Sequence, residues 1–172
     1  CWDKELINEM EATQGCNHMD EAFLHASMDR DSFAGRFVDR LTRGTALKLP
    51  DGRSITAKDG FVRHFFRTKF WELDPVVYDE VVFQPDPLPE DIAERHITNS
   101  DRAQLHYYGP EEKALFIGHY WMKGIPGPIT PNIACLDYSA VKYGRLAAYR
   151  MDSETHLDPS KFVWVRVDRR ED

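Results

Sequence analysis

A chain of 172 residues, 42% apolar and 30% charged, can bury a core of its own, which excludes the disordered and low-complexity classes. Its net charge of −7 argues against an extended nucleic acid as partner, although a local basic patch could still hold a phosphate. No apolar run approaches the roughly 20 residues of a membrane span, so no membrane role is expected, and the opening residues lack a signal-peptide pattern. The three cysteines, Cys1, Cys16 and Cys135, are far apart and form no CxxC. They read as free thiols of a reducing compartment, which makes the cytoplasm the expected location. The chain opens on Cys1 rather than Met, which points to processing or to a longer parent polypeptide.

Composition divides residues 1–172, read as a single domain, into three zones. The first, residues 1–45, has helical spacing. Asp3 can cap a helix carrying Leu6, Ile7 and Met10, and residues 21–28 suit a second. Asp31 can cap a third, with Phe33, Phe37, Val38 and Leu41 on one face and Gly44 just past its end.

The second zone, residues 46–110, starts with the turn signal Leu49-Pro50-Asp51-Gly52 and a short strand at Ser54-Ile55-Thr56. The aromatic and basic run 61–71 fits two periods. As a strand it puts Arg63, Arg67 and Lys69 on one face, with Val62, Phe66 and Phe70 on the other. As a helix it gathers Val62, Phe65, Phe66 and Phe70. From Asp74 to Pro110 an acidic stretch punctuated by Pro75, Pro85, Pro87 and Pro89 reads as an extended excursion with one short helix at 90–95.

The third zone, residues 111–172, is β-rich. Ala114-Leu115-Phe116-Ile117, stopped by Gly118, has the pattern of a buried strand. A loop with Gly124, Pro126, Gly127 and Pro128 leads to strands at 133–138, 146–149 and 162–167. Gly144, in the connection 139–145, can supply a left-handed residue for a hairpin bulge.

His119 is the leading chemical candidate, because it leaves a strand end where a side chain can be held firmly and imidazole is a common metal ligand. A satisfied structural histidine is the competing reading. Arg63 and Arg67, with Lys69, could bind a phosphate or could line a solvated face. Tyr120 and Trp121 could stack on a base or pack in the core. His18 and His25, seven apart, use a spacing that metal sites rarely use alone. No nucleophile elbow, P-loop or dinucleotide glycine fingerprint is present.

Three segments taken together carry a resemblance. They are Leu115-Phe116-Ile117-Gly118-His119-Tyr120-Trp121, Thr130-Pro131-Asn132-Ile133-Ala134-Cys135-Leu136-Asp137-Tyr138-Ser139, and Lys142-Tyr143-Gly144-Arg145-Leu146-Ala147-Ala148-Tyr149-Arg150. Their order and content resemble the closing segment of the calcineurin-like metallophosphoesterases, in the bacterial branch of serine/threonine phosphatases and symmetrical diadenosine tetraphosphatases. Cys1-Trp2-Asp3 also resembles the residues that follow a metal-binding histidine in that family. The resemblance implies an α/β fold, the C-terminal part of a β-sandwich flanked by helices, with the first-zone helices packed on the third-zone sheet. It implies divalent metal ions as cofactors, His119 as a ligand of one of them, and Asp137 as a residue supporting His119, although Asp137 equally suits a hydrogen-bonded turn.

The family's aspartate-x-histidine, glycine-aspartate-x-x-aspartate-arginine-glycine and glycine-asparagine-histidine motifs are not found in this chain. Gly15-Cys16-Asn17-His18-Met19-Asp20 imitates the last with one residue inserted but falls in the wrong order, and Leu41-Thr42-Arg43-Gly44 lacks the carboxylates of a metal loop. A two-metal hydrolase needs cations about 3.5–4 Å apart held by several ligands, which one imidazole cannot supply. The chain is therefore expected to be inactive by itself, whether as part of a phosphoprotein or nucleotide phosphoesterase or as a non-catalytic binding or assembly module. Its expected partner is a missing N-terminal catalytic half or a second copy that covers an exposed sheet face.

Overall fold

The structure, a computed structural model, describes Lys4, Asn8 and residues 20–56, 60–83 and 88–168. The helix expected over Leu6, Ile7 and Met10, the thiols of Cys1 and Cys16, the Cys1-Trp2-Asp3 landmark and His18 lie outside the described residues. The fold mixes helices with several small sheets and forms two compact units, Cys1–Tyr108 and Gly109–Asp172. The first-zone helices and the third-zone strands belong to different units.

In the first unit, α1 (Glu21–Ala26) starts at Asp20, whose carboxylate accepts the Phe23 N–H at 2.7 Å. Helix α2 (Phe33–Arg43) is capped by Ser32 rather than Asp31, since the Ser32 hydroxyl accepts the Gly35 N–H at 2.9 Å. Asp31 lies one residue too early for that bond, and its carbonyl accepts from the Arg36 guanidinium instead. Gly44 ends the helix at φ 80°, where a side chain would be strained. The two helices share a core of Phe23, Ala34 and Phe37, with the Phe23 and Phe37 rings edge-on at 6.0 Å.

The aromatic run is neither one strand nor a helix. It forms β3 (Val62–Arg63) and β4 (Phe65–Thr68), broken at His64, whose carbonyl accepts the Leu49 N–H at 2.8 Å. Strand β3 pairs with β2 (Ile55–Thr56), while β4 lies between β1 (Ala46–Lys48) and β5 (Val82–Phe83) in an antiparallel sheet. The break turns Val62 out to solvent, while Phe66 and Phe70 are buried as the strand reading has them.

The proline-punctuated stretch is not an excursion. It contains α3 (Tyr78–Val81), α4 (Glu90–Ala93) and α5 (Asn99–Arg102). Its Tyr78, Val81, Val82, Leu88, Ile92 and Ile97 close over Leu47, Leu49 and Phe66 to make the main core. Pro89 sits at the N-cap of α4, where its fixed φ and missing N–H cost nothing. Each large apolar side chain buried here contributes about 1.5–3 kcal/mol.

The second unit holds two three-stranded sheets. In one, β8 (Ile133–Cys135) is central, parallel to β6 (Leu115–Ile117) and antiparallel to β7 (Pro128–Thr130). All three β8 side chains are buried, as a continuous apolar run in a central strand requires. Strand β6, expected to be buried, is an edge strand with Phe116 exposed. Buried Asn132 donates to the carbonyls of Gly109 and Glu112 at 2.8 and 3.0 Å and accepts from Thr130, so both ends of its amide are satisfied.

The other sheet is antiparallel, with β10 (Arg145–Tyr149) between β9 (Asp137–Tyr138) and β11 (Phe162–Arg166). Gly144 does not supply the left-handed residue of the β9–β10 connection; Ser139 and Tyr143 do, at φ 57° and 60°. Glycine is needed at 144 because a Cβ would stand 2.0 Å from the Tyr138 carbonyl oxygen. Between β10 and β11, Lys161 bridges Asp152 and Glu154 at 3.0 and 3.1 Å, and the Tyr149 hydroxyl donates to Glu154. The paired positions Leu146 and Val165, with Val163 beyond them, leave an apolar face exposed. No helix among the described residues is long and apolar enough to cross a membrane.

Candidate functional site

The parallel pairing of β6 with β8 builds the site. Pairing continues past β8 through the Leu136 N–H, which donates to the Ile117 carbonyl at 2.9 Å and brings Asp137 alongside the turn that ends β6. At that turn His119 adopts φ 63°. A left-handed residue other than glycine is uncommon, though histidine is among those that adopt it more readily. The strain, about 1–3 kcal/mol, persists only where surrounding bonds hold it.

Those bonds come mainly from Asp137. Its Oδ2 accepts the His119 N–H at 3.1 Å, its Oδ1 accepts the Ser139 N–H at 3.0 Å, and its carbonyl accepts the Met122 N–H at 3.0 Å. One residue after His119, buried Tyr120 is fixed as its carbonyl accepts the Cys135 thiol at 2.9 Å. Cys135 is a free, buried thiol. The His119 ring is exposed and meets Trp121 edge-on at 6.1 Å; the Lys142 ammonium lies 4.5 Å from the Trp121 ring centre.

The sequence-level candidates therefore separate. His119 and Asp137 come together, with Asp137 positioning the backbone of His119 rather than its ring. Tyr120 is core, and Trp121 is half-buried against Lys142. Arg63 and Arg67 do not share a strand face, because the break at His64 puts them in different sheets. The Lys69 ammonium donates to the Asp79 and Glu80 carbonyls at 3.2 and 3.1 Å, closing the end of α3 instead of facing a phosphate.

Arg145 was not singled out by sequence reasoning. It lines a depression of about 530 Å³ with Gly118, Asp137 and Leu146, and its guanidinium stacks on Trp164 at 4.8 Å. Its Nε is buried without a hydrogen-bond partner. The signal was its place directly after Gly144, at the start of a strand; its position across from Tyr138 comes from the register of β9 on β10.

Among the described residues, no three His, Cys, Asp or Glu side chains are grouped to hold a metal ion. Both Asp137 carboxylate oxygens already accept backbone N–H groups. One exposed imidazole is an incomplete donor set for a divalent cation, so the described residues alone do not fit one. The chain matches no family model, no curated protein and no solved structure.

Proposed function

We propose that this chain is the C-terminal portion of a calcineurin-like metallophosphoesterase, a metal-dependent hydrolase of phosphoprotein or nucleotide phosphoesters to which His119 contributes one metal ligand. The observation that carries this reading is the turn after β6, where an exposed imidazole stands on a strained backbone tied down by Asp137. Holding a side chain firmly at a strand end suits a ligand and exceeds what an ordinary surface histidine needs. The other ligands would have to come from outside the described residues, so no hydrolytic step is assigned to those present here.

A second reading, a non-catalytic binding or assembly module, is favoured by the exposed apolar face of Leu146, Val163 and Val165. A missing N-terminal half or a second copy of the chain would cover that face.

The test uses the product of the whole gene, assayed for Mn²⁺-dependent hydrolysis of p-nitrophenyl phosphate. His119→Ala should cut turnover by about a hundredfold or more while the melting curve stays in place. An unchanged rate removes His119 from the site. If the whole product shows no metal-dependent turnover, the enzyme reading fails and the assembly reading stands.

A further inference from the structure

The first unit carries a basic groove of about 650 Å³ between α2 and β4, and it takes shape directly from two sequence periods. Arg36, Arg40 and Arg43 recur along one stripe of α2 at intervals of four and three. Ala34 and Phe37 occupy the buried side of the helix, so the arginine stripe borders the groove. On β4, Phe66 and Thr68 are buried, leaving Phe65 and Arg67 on the opposite face. Arg30, from the turn before α2, completes five arginines around one depression, opposed by Asp31 and Asp39.

We infer that this groove binds a compact ligand carrying two or more phosphate groups. Guanidinium forks match phosphate oxygens two at a time, and the groove's size lies within the range of small-molecule sites. The Arg36 fork is steadied by the Asp31 carbonyl at 2.7 Å. The Arg43–Asp39 ion pair, at 3.2 Å and half exposed, is of the weak kind that a stronger anion can displace. A single phosphate can engage only part of the arginine set, whereas a long polyanion would meet a chain of net charge −7 outside the groove. Phe65, 57% exposed, adds an apolar wall that a nucleoside could use and a bare polyphosphate could not. The inference concerns the first unit alone and does not depend on the reading of His119.

Calorimetric titration of the whole 172-residue chain with tripolyphosphate and with inorganic phosphate tests it. Saturable one-to-one tripolyphosphate binding is expected, at least about tenfold tighter than phosphate. Arg36→Gln combined with Arg40→Gln should weaken it by about tenfold or more, while Arg150→Gln in the second unit should leave it unchanged. Glutamine keeps a high helix propensity, so α2 should persist. Should the double variant fail to fold, amide shifts of the wild-type chain give the same answer: changes concentrated at 36–43 and 65–67 support the groove, and scattered changes overturn it. Tighter binding of ADP than of pyrophosphate, lost in Phe65→Ala, assigns the phosphates to a nucleotide; equal binding assigns them to a bare polyphosphate. No saturable binding, an equal loss in Arg150→Gln, or displacement by a short single-stranded RNA far below the tripolyphosphate concentration would overturn the proposal.

Discussion

The Asp137 carboxylate accepts the backbone N–H of His119 at 3.1 Å, joining residues 18 apart in the chain, and its other oxygen accepts the N–H of Ser139. One side chain thus holds two turns. Asp137→Ala should strand both amides and lower unfolding stability by about 1–3 kcal/mol, with Asp137→Asn, which keeps one carbonyl oxygen, losing less. Urea unfolding and amide exchange at His119 and Ser139 measure this; unchanged exchange at both would show that the bonds do not hold the turns.

Gly144→Ala should be among the most damaging single substitutions in the second unit. The added methyl would stand 2.0 Å from a backbone oxygen that cannot swing aside as a side chain would. A loss of about 2–4 kcal/mol is expected, read as a lower melting temperature and weakened protection along β9 and β10.

Ile92 tests whether the proline-punctuated stretch is core. It is fully buried in the main cluster, so Ile92→Ala should cost about 2–5 kcal/mol. Val76, 47% exposed in the same stretch, should lose no more than about 0.5 kcal/mol when truncated to alanine. Equal effects at the two positions would contradict the packing described.

Glu154 makes the second unit sensitive to acid. Its carboxyl is pulled down from 4.5 to about 2, first by the Tyr149 hydroxyl it accepts from, and further by the Asp152 N–H and the Lys161 ammonium. A depressed carboxyl stabilises the fold fully above its ordinary value and loses that contribution as pH falls through its folded value. The stability difference between wild type and Glu154→Gln should therefore be constant above about pH 5 and shrink as pH falls towards 2. Urea midpoints measured across that interval check it, and a difference independent of pH would rule out the linkage.

How far these features could be read from sequence depended on how local their causes were. The end of α2 at Gly44 and the short apolar strands of the third zone follow from neighbouring residues, and they appear where expected. The cap at Ser32 instead of Asp31 is a one-residue choice between two good capping residues, decided by which side chain reaches the Gly35 amide. The break at His64 is not local, because its carbonyl is drawn away by Leu49. The core role of 74–110 was hidden for a similar reason. Tyr78 and Ile92 lie in short helices and Ile97 just past the Val77–His96 bridge, with no sustained period, and only the distant Leu47 and Phe66 reveal their buried side. At the candidate site, His119 was legible from its place after a strand, whereas the bond that fixes it needed the parallel register of β6 on β8.

Strand β6 is an edge, bonded to β8 alone among the described strands, as β7 is on the other side of β8. Peeling β6 away together with the His119 turn would also have to break the bonds by which Asp137 in β9 accepts the His119 and Met122 N–H groups. The edge therefore cannot open with its turn unless the start of the neighbouring sheet loosens as well.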